Sequence, residues 1–124
     1  MTTTLFANFS NIDSLKQEAQ TKNGMEKVDA LLYIAGLHGN IRQNDSLEHY
    51  STIALELSRK IDYPKGKLKA YSGLGIAQVL RQDFSAALNS FERAVELAEE
   101  TDNMRGLCSA LGNIAIIYNN TGLY

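Results

Sequence analysis

The 124-residue sequence contains one cysteine, one proline and no tryptophan. A lone cysteine, Cys108, excludes an internal disulfide framework and a multi-cysteine zinc site. No uninterrupted apolar run approaches the roughly 20 residues that a helix needs to cross a bilayer. The opening MTTTLFANFS has no basic stretch followed by an apolar one. No secretory signal is therefore read there. The cytoplasm is the simplest compartment, unless a signal lies outside this sequence. Nor is one charge in surplus: 12 Lys+Arg face 14 Asp+Glu, for a formal net charge of −2. That balance argues against a basic nucleic-acid surface and an electrostatic membrane anchor, so neither nucleic acid nor membrane is an expected partner. What is present is 44% apolar residues in a length suited to one domain, enough for one core.

The sequence repeats itself at a shift of forty residues. The segment beginning at Ala54 falls on the segment beginning at Ala94. Identical pairs are Ala54/Ala94, Glu56/Glu96, Leu57/Leu97, Asp62/Asp102, Gly66/Gly106, Ala70/Ala110 and Ile76/Ile116. A further shift back sets Leu31, Ile34 and Ala35 on Tyr71, Leu74 and Gly75. One unit thus recurs about three times, the last copy cut short.

Each unit reads as two helices. Leu68, Tyr71, Leu74, Ile76, Val79 and Leu80 largely keep a spacing of three to four, as do Phe84, Ala87, Leu88, Phe91, Ala94, Val95 and Ala98. Arg81-Gln82-Asp83 is the expected turn, with Asp83 as N-cap. The same reasoning predicts helices near 26–39, 45–61 and 104–120, and one more near 10–22 from Ser10, Asn11 and Ser14. Pro64 is expected between helices, where a missing N–H costs little. Small residues recur at matching places: Ala35, Gly75 and Ala115 in first helices, Ala54, Ala87 and Ala94 in second ones. A mid-helix glycine costs about 0.5–1 kcal/mol against alanine, so Gly75 implies that another backbone passes closely.

Residues for catalysis or cofactor binding are scarce. No phosphate-loop, dinucleotide or nucleophile-elbow pattern occurs. His38 and His49 are eleven apart with a turn between them and read as surface or groove histidines, not a metal pair. Cys108 reads as a small packing residue. Glu99, Glu100 and Asp102 read as solvated turn charge. Arg59, Lys60, Lys65, Lys67 and Lys69 form the one basic cluster, a solvated helix start or a contact for an acidic peptide. The expectation is no enzyme, no metal and no cofactor.

These residues resemble the tetratricopeptide (TPR) family. Its pattern is W-x-x-L-G-x-x-Y, a turn, then A-x-x-x-F and a second small residue. Tyr71, Leu74 and Gly75, then Phe84, Ala87, Phe91 and Ala94, match it in the middle unit. Leu111, Ile114, Ala115, Tyr118, Gly122 and Tyr124 match it in the last. Leu31, Ile34, Ala35 and Ala54 match in the first, but Leu47 stands where a small residue is expected and Ser51 where an aromatic is expected. The period is forty rather than the usual thirty-four, which is similar to the longer units of bacterial signalling proteins and kinesin light chains. The extra length is expected between repeats, around 60–66 and 100–106.

The resemblance implies an all-α fold of antiparallel helix pairs stacked in a right-handed superhelix. Residues 1–25 would form an N-terminal segment with one helix. Residues 26–64, 65–103 and the truncated 104–124 would form about two and a half repeats. It implies a scaffold that binds a peptide or partner protein on the concave side, or a regulatory or sensory module of a larger bacterial signalling protein such as a cyclase, kinase or transcription regulator. A helical metal or cofactor carrier is a third class. The aligned groove positions are Asp29, Leu32, Tyr33 and Gly36; then Lys69, Ser72, Gly73, Ile76 and Val79; then Ser109, Gly112, Asn113, Ile116 and Asn120. Asn113 is the position at which relatives grip a peptide backbone. Leu32 and Gly36 stand where a clamp for chaperone C-termini needs Lys and Asn, so that ligand is not expected. Leu111, Ile114, Ile117 and Tyr118 are expected to leave an apolar stripe on the final helix, as in a fragment of a longer protein. Such a stripe would make a homo-oligomer.

Overall fold

A computed structural model describes the backbone of residues 3–40 and 44–122, and side chains within 12–38 and 44–122. Six helices and no strand occur among the described residues: α1 (Thr3–Thr21), α2 (Gly24–Asn40), α3 (Asn44–Lys60), α4 (Pro64–Leu80), α5 (Phe84–Glu100) and α6 (Met104–Thr121). The expected helices are all found. The first begins at Thr3 rather than near residue 10, because the segment before Ser10 holds no proline or glycine to stop it. Pro64 is not between helices but opens α4, where its missing N–H would have no intrahelical acceptor. The match drawn to Tyr124 lies outside the described residues.

One turn recurs every twenty residues. Asp62, Gln82 and Asp102 take left-handed backbone, with φ of 51°, 63° and 52°. The next residue's N–H donates back across the turn: Tyr63 to the Ser58 carbonyl at 2.8 Å, Asp83 to Gln78 at 2.9 Å and Asn103 to Ala98 at 2.8 Å. This bond satisfies a helix-end carbonyl and reverses the chain in three residues. Asp83 then caps α5 by accepting from the Ala86 N–H, and Asn103 caps α6 by accepting from the Gly106 N–H. The three turns are alike, so the extra length of the repeat is not in longer connections between units. The forty-residue unit is two 17-residue helices and two turns of three residues.

From α2 onward each helix packs on its sequence neighbour, and α4 also touches both α2 and α6, while α1 packs on α2. Ala19, Val28, Leu31, Ile34, Ala54, Leu55 and Ala70 form the core of the first half. Ala87, Phe91 and Ile117 form that of the second. Burying Phe91, Ile34 or Ile117 is worth about 1.5–3 kcal/mol each. The small positions are closed as expected at Ala35, Ala54, Gly75, Ala87 and Ala94, but Ala115 is exposed. At Gly75 the close neighbour is a ring, not a backbone: a Cβ there would come within 2.6 Å of Phe91. The expectation of passing main chains is corrected accordingly.

These contacts set opposite signs for two glycine substitutions. Around Gly36, by contrast, nothing lies within 4 Å of a Cβ. In urea unfolding, Gly75→Ala should lose about 1–3 kcal/mol through overpacking against Phe91. Gly36→Ala should gain about 0.5–1 kcal/mol from helix propensity. Equal effects at both sites would refute this packing account.

Candidate binding groove

Helical spacing collects the expected residues on two walls. On α2, Asp29, Leu32, Tyr33 and Gly36 follow steps of three, one and three, which is one helical face. On α4, Lys69, Gly73 and Ile76 follow steps of four and three. The two faces border a hollow of about 460 Å³, floored by Leu47 and Ser51 of α3 together with Ala35. Tyr33 and Ile76 are 61% and 42% exposed, so the hollow opens to solvent along its rim. Its volume lies within the range of about 300–1,000 Å³ typical of ligand sites.

The rim carries both charges. Asp29 accepts a hydrogen bond from the Tyr63 hydroxyl at 2.9 Å, which ties α2 to the turn before α4. Burial pushes the Tyr63 phenol above its ordinary value of 10.0. Its bond to Asp29 and the carboxylate's negative charge push it the same way. Lys69 is exposed and has no ion-pair partner among the described residues. The rest of the basic cluster does not gather around it. Arg59 donates to the Tyr71 hydroxyl and lies over its ring, and Lys67 pairs with Asp62.

Ser51 is the unusual group at the floor. Its side chain is fully buried and its Oγ has no hydrogen-bond partner. Thr52, Ser58, Ser72, Thr101 and Thr121 return their hydroxyls to the carbonyl four residues earlier. Ser51 instead points Oγ at Gly73, occupying the place where a Cβ would stand. A buried hydroxyl left unpaired costs about 1–3 kcal/mol.

The hollow unites Asp29, Leu32, Tyr33, Lys69 and Ile76 with Gly36 and Gly73. It does not include the other aligned positions. Ser72 is half-buried and bonded to the Leu68 carbonyl. Val79 packs against the Ala87–Phe91–Ile117 core, so it is a core neighbour rather than a groove residue. Ser109, Gly112 and Asn120 are exposed on α6, and Asn113 is half-buried there. Ile116 borders a separate shallow hollow with Ala115, Tyr118 and Asn119.

Ser51, Leu47 and Ala35 were not among the expected groove residues. For Leu47 and Ser51 the signal was the first unit's departure from the repeat, while Ala35 matches the pattern and gave none.

Other expectations are also corrected. Cys108 is exposed rather than packed. His38 is buried, stacked on Tyr50 at 5.6 Å between centroids, while the exposed His49 meets the same ring edge-on. Among the described residues, no three His, Cys, Asp or Glu side chains cluster closely enough to hold a metal ion. No helix of the described residues is long and apolar enough to cross a membrane. No family model, curated protein or solved structure matches the chain.

The Tyr63–Asp29 bond carries a pH dependence of known sign. A phenol whose folded pKa is raised holds its proton more tightly in the folded state. Its contribution is complete below pH 10.0 and is lost as pH rises through the folded value. Urea melts from about pH 9 to 11 should show wild type losing more stability than Tyr63→Phe. Parallel losses would show that the bond has no such role.

Proposed function

We propose that this chain is a TPR-like array that binds a peptide segment of a partner protein, with no catalytic step of its own. The observation that carries this reading is the hollow between α2 and α4, apolar below and rimmed by Asp29 and Lys69. An extended segment has apolar side chains to bury and a main chain with both donors and acceptors to satisfy. The hollow offers an apolar interior, the α2 carboxylate and the α4 ammonium. The forty-residue recurrence supports the repeat assignment, since the pair α2–α3 and the pair α4–α5 stand in the same register. A cytoplasmic location goes with this reading, as does a role as regulatory module of a larger bacterial signalling protein.

A phage-displayed library of random peptides tests the groove directly. Selected peptides should bind the intact chain and lose about tenfold or more in affinity to Lys69→Ala, the scale of a charge-assisted hydrogen bond. Undiminished binding to Lys69→Ala and to Asp29→Ala would overturn the groove assignment.

A second reading concerns α6 and rests on its exposed stripe. Met104, Leu111 and Tyr118 are 67%, 49% and 37% exposed, and Cys108 and Ala115 lie between them. The stripe is narrower than expected, because Ile117 is fully buried and Ile114 packs on the same core. The matching stripe on α4 is covered by α5, where Gly75 meets Phe91 and the Gln78 amide hydrogen-bonds the Ser90 hydroxyl at 2.7 Å. We infer that a second copy covers the α6 stripe by the same kind of helix packing. Light scattering should give a dimer mass for wild type and a monomer mass for Leu111→Glu. A monomeric wild type at all concentrations would refute this.

A further inference from the structure

We propose that a hollow bordered by α1, α2 and α3, on the side of α2 away from the peptide groove, is a binding site for a small organic carboxylate. Lys27, Leu31 and Ile34 of α2 follow steps of four and three and so share one helical face, as do Lys16, Ala19 and Gln20 of α1. With His49 and Tyr50 of α3 they line a hollow of about 270 Å³. None of these residues borders the hollow between α2 and α4. Two lysines and a histidine line it, and no carboxylate does. Lys16 and Lys27 are half-buried and have no ion-pair partner among the described residues. The Lys16 ammonium lies over the Tyr50 ring, 5.7 Å from its centre.

The forty-residue register shows how this place differs from its counterpart. The shift sets α1 on α3, and the Lys22 N–H donates to the Ala19 carbonyl as the Asp62 N–H donates to Arg59, both at 3.4 Å. In the second unit Arg59 lies over the Tyr71 ring and donates to its hydroxyl, and Lys67 pairs with Asp62. The first unit has Ala19 for Arg59, Leu31 for Tyr71 and Lys22 for Asp62, while Lys27 still stands for Lys67. Lys16 stands for Glu56. Two acids have become lysines, and a guanidinium on a ring has become an alanine beside a leucine. The missing parts describe the guest. It brings a carboxylate for the two ammonium groups, each of which offers three N–H donors. It also brings a compact apolar body for the buried floor of Ala19, Leu31 and Ile34. Inorganic phosphate would leave that floor uncovered, and a neutral ring would leave the ammonium groups unpaired. The volume falls just below the range of about 300–1,000 Å³ that holds drug-sized ligands, so the acid is small.

The site is tested with benzoate, titrated into the full chain at neutral pH and followed by amide NMR shifts. The amides of Gln20, Leu31 and His49 should move together and saturate, while those of Gly36 and Gly73 in the other hollow stay in place. Benzyl alcohol keeps the ring without the charge, and inorganic phosphate keeps charge without the ring. Each should bind wild type about tenfold more weakly than benzoate, or worse. Lys16→Gln and Lys27→Gln should each weaken benzoate about three- to tenfold. Gln20→Glu sets a carboxylate on the rim and should weaken it at least as much. Lys65→Gln removes the same charge from an exposed place on α4 outside the hollow and should leave the affinity unchanged. Unchanged circular dichroism would report the intact fold of each variant, and the two control ligands need no variant. No saturable shift at millimolar benzoate, shifts centred on Gly36 and Gly73, equal binding of either control ligand, or an equal loss in Lys65→Gln would each overturn the proposal. Tighter binding of N-acetylglutamate methylamide than of benzoate would assign the hollow to a protein side chain and overturn it as well.

Discussion

The seating of the Phe91 ring on the bare backbone of Gly75 is the contact on which the second half of the chain depends. It brings α5 onto α4, and through Ile117 it brings α6 onto the same core. A glycine in mid-helix weakens that helix locally. The loss is offset because a large ring then reaches closer than any Cβ would permit, and close-packed carbon atoms contribute dispersion that a gap forfeits. The exchange works only if both partners are present. A ring without the glycine clashes, and the glycine without a ring leaves a hole.

The first unit makes the opposite exchange. Ala35 replaces the glycine and Ser51 the ring, so neither clash nor seating arises. The pair is locally compatible: Leu47 and Ala77 close on Ala35 with Tyr50 against them, and Ser51 is left with a buried hydroxyl without a partner. That hydroxyl costs stability that the second unit retains. The first unit remains ordered because its apolar weight lies elsewhere, in Val28, Leu31, Ile34 and Leu55, with Ala19 of α1 packed on them. α1 therefore supports the wall that carries Asp29 and Tyr33.

Much of the fold was legible in the sequence. Period-forty recurrence and three-to-four spacing located α2 to α6, Asp83 announced its own cap, and Ser10, Asn11 and Ser14 gave α1 its existence but not its start. Three things were not legible, each for a physical reason. The start of α1 carries no breaker, so its first turns had no marker. The left-handed turn at Gln82 has no glycine or asparagine to signal it; only the structure shows that it repeats Asp62 and Asp102. The partner of Gly75 was misjudged because a missing Cβ reports that something is near, not whether it is main chain or ring. Of the aligned positions, Asp29, Leu32, Tyr33, Lys69 and Ile76 border the hollow between α2 and α4. Alignment missed the floor, because Leu47 and Ser51 stood out only as departures from the pattern. It also carried positions on α6 into the groove by analogy, although Ser109, Asn113 and Asn120 border none of the hollows described.

The recurring turn explains why such local departures stay local. Each reversal uses three residues in the same conformation and the same backward hydrogen bond, so the spacing of α3, α4, α5 and α6 is set by main-chain geometry. Side chains between the helices then vary without moving the walls. A serine in place of a phenylalanine is accommodated by Leu47, Ala77 and Ala35 packing together, while α2 and α4 are each held on α3 and also on one another. The Tyr63 hydroxyl on Asp29 adds a polar tie across the same junction. An array of this kind separates the contacts that fix its shape from the contacts it can alter to make a site, and the hollow beneath Tyr33 and Ile76 lies where that separation is greatest.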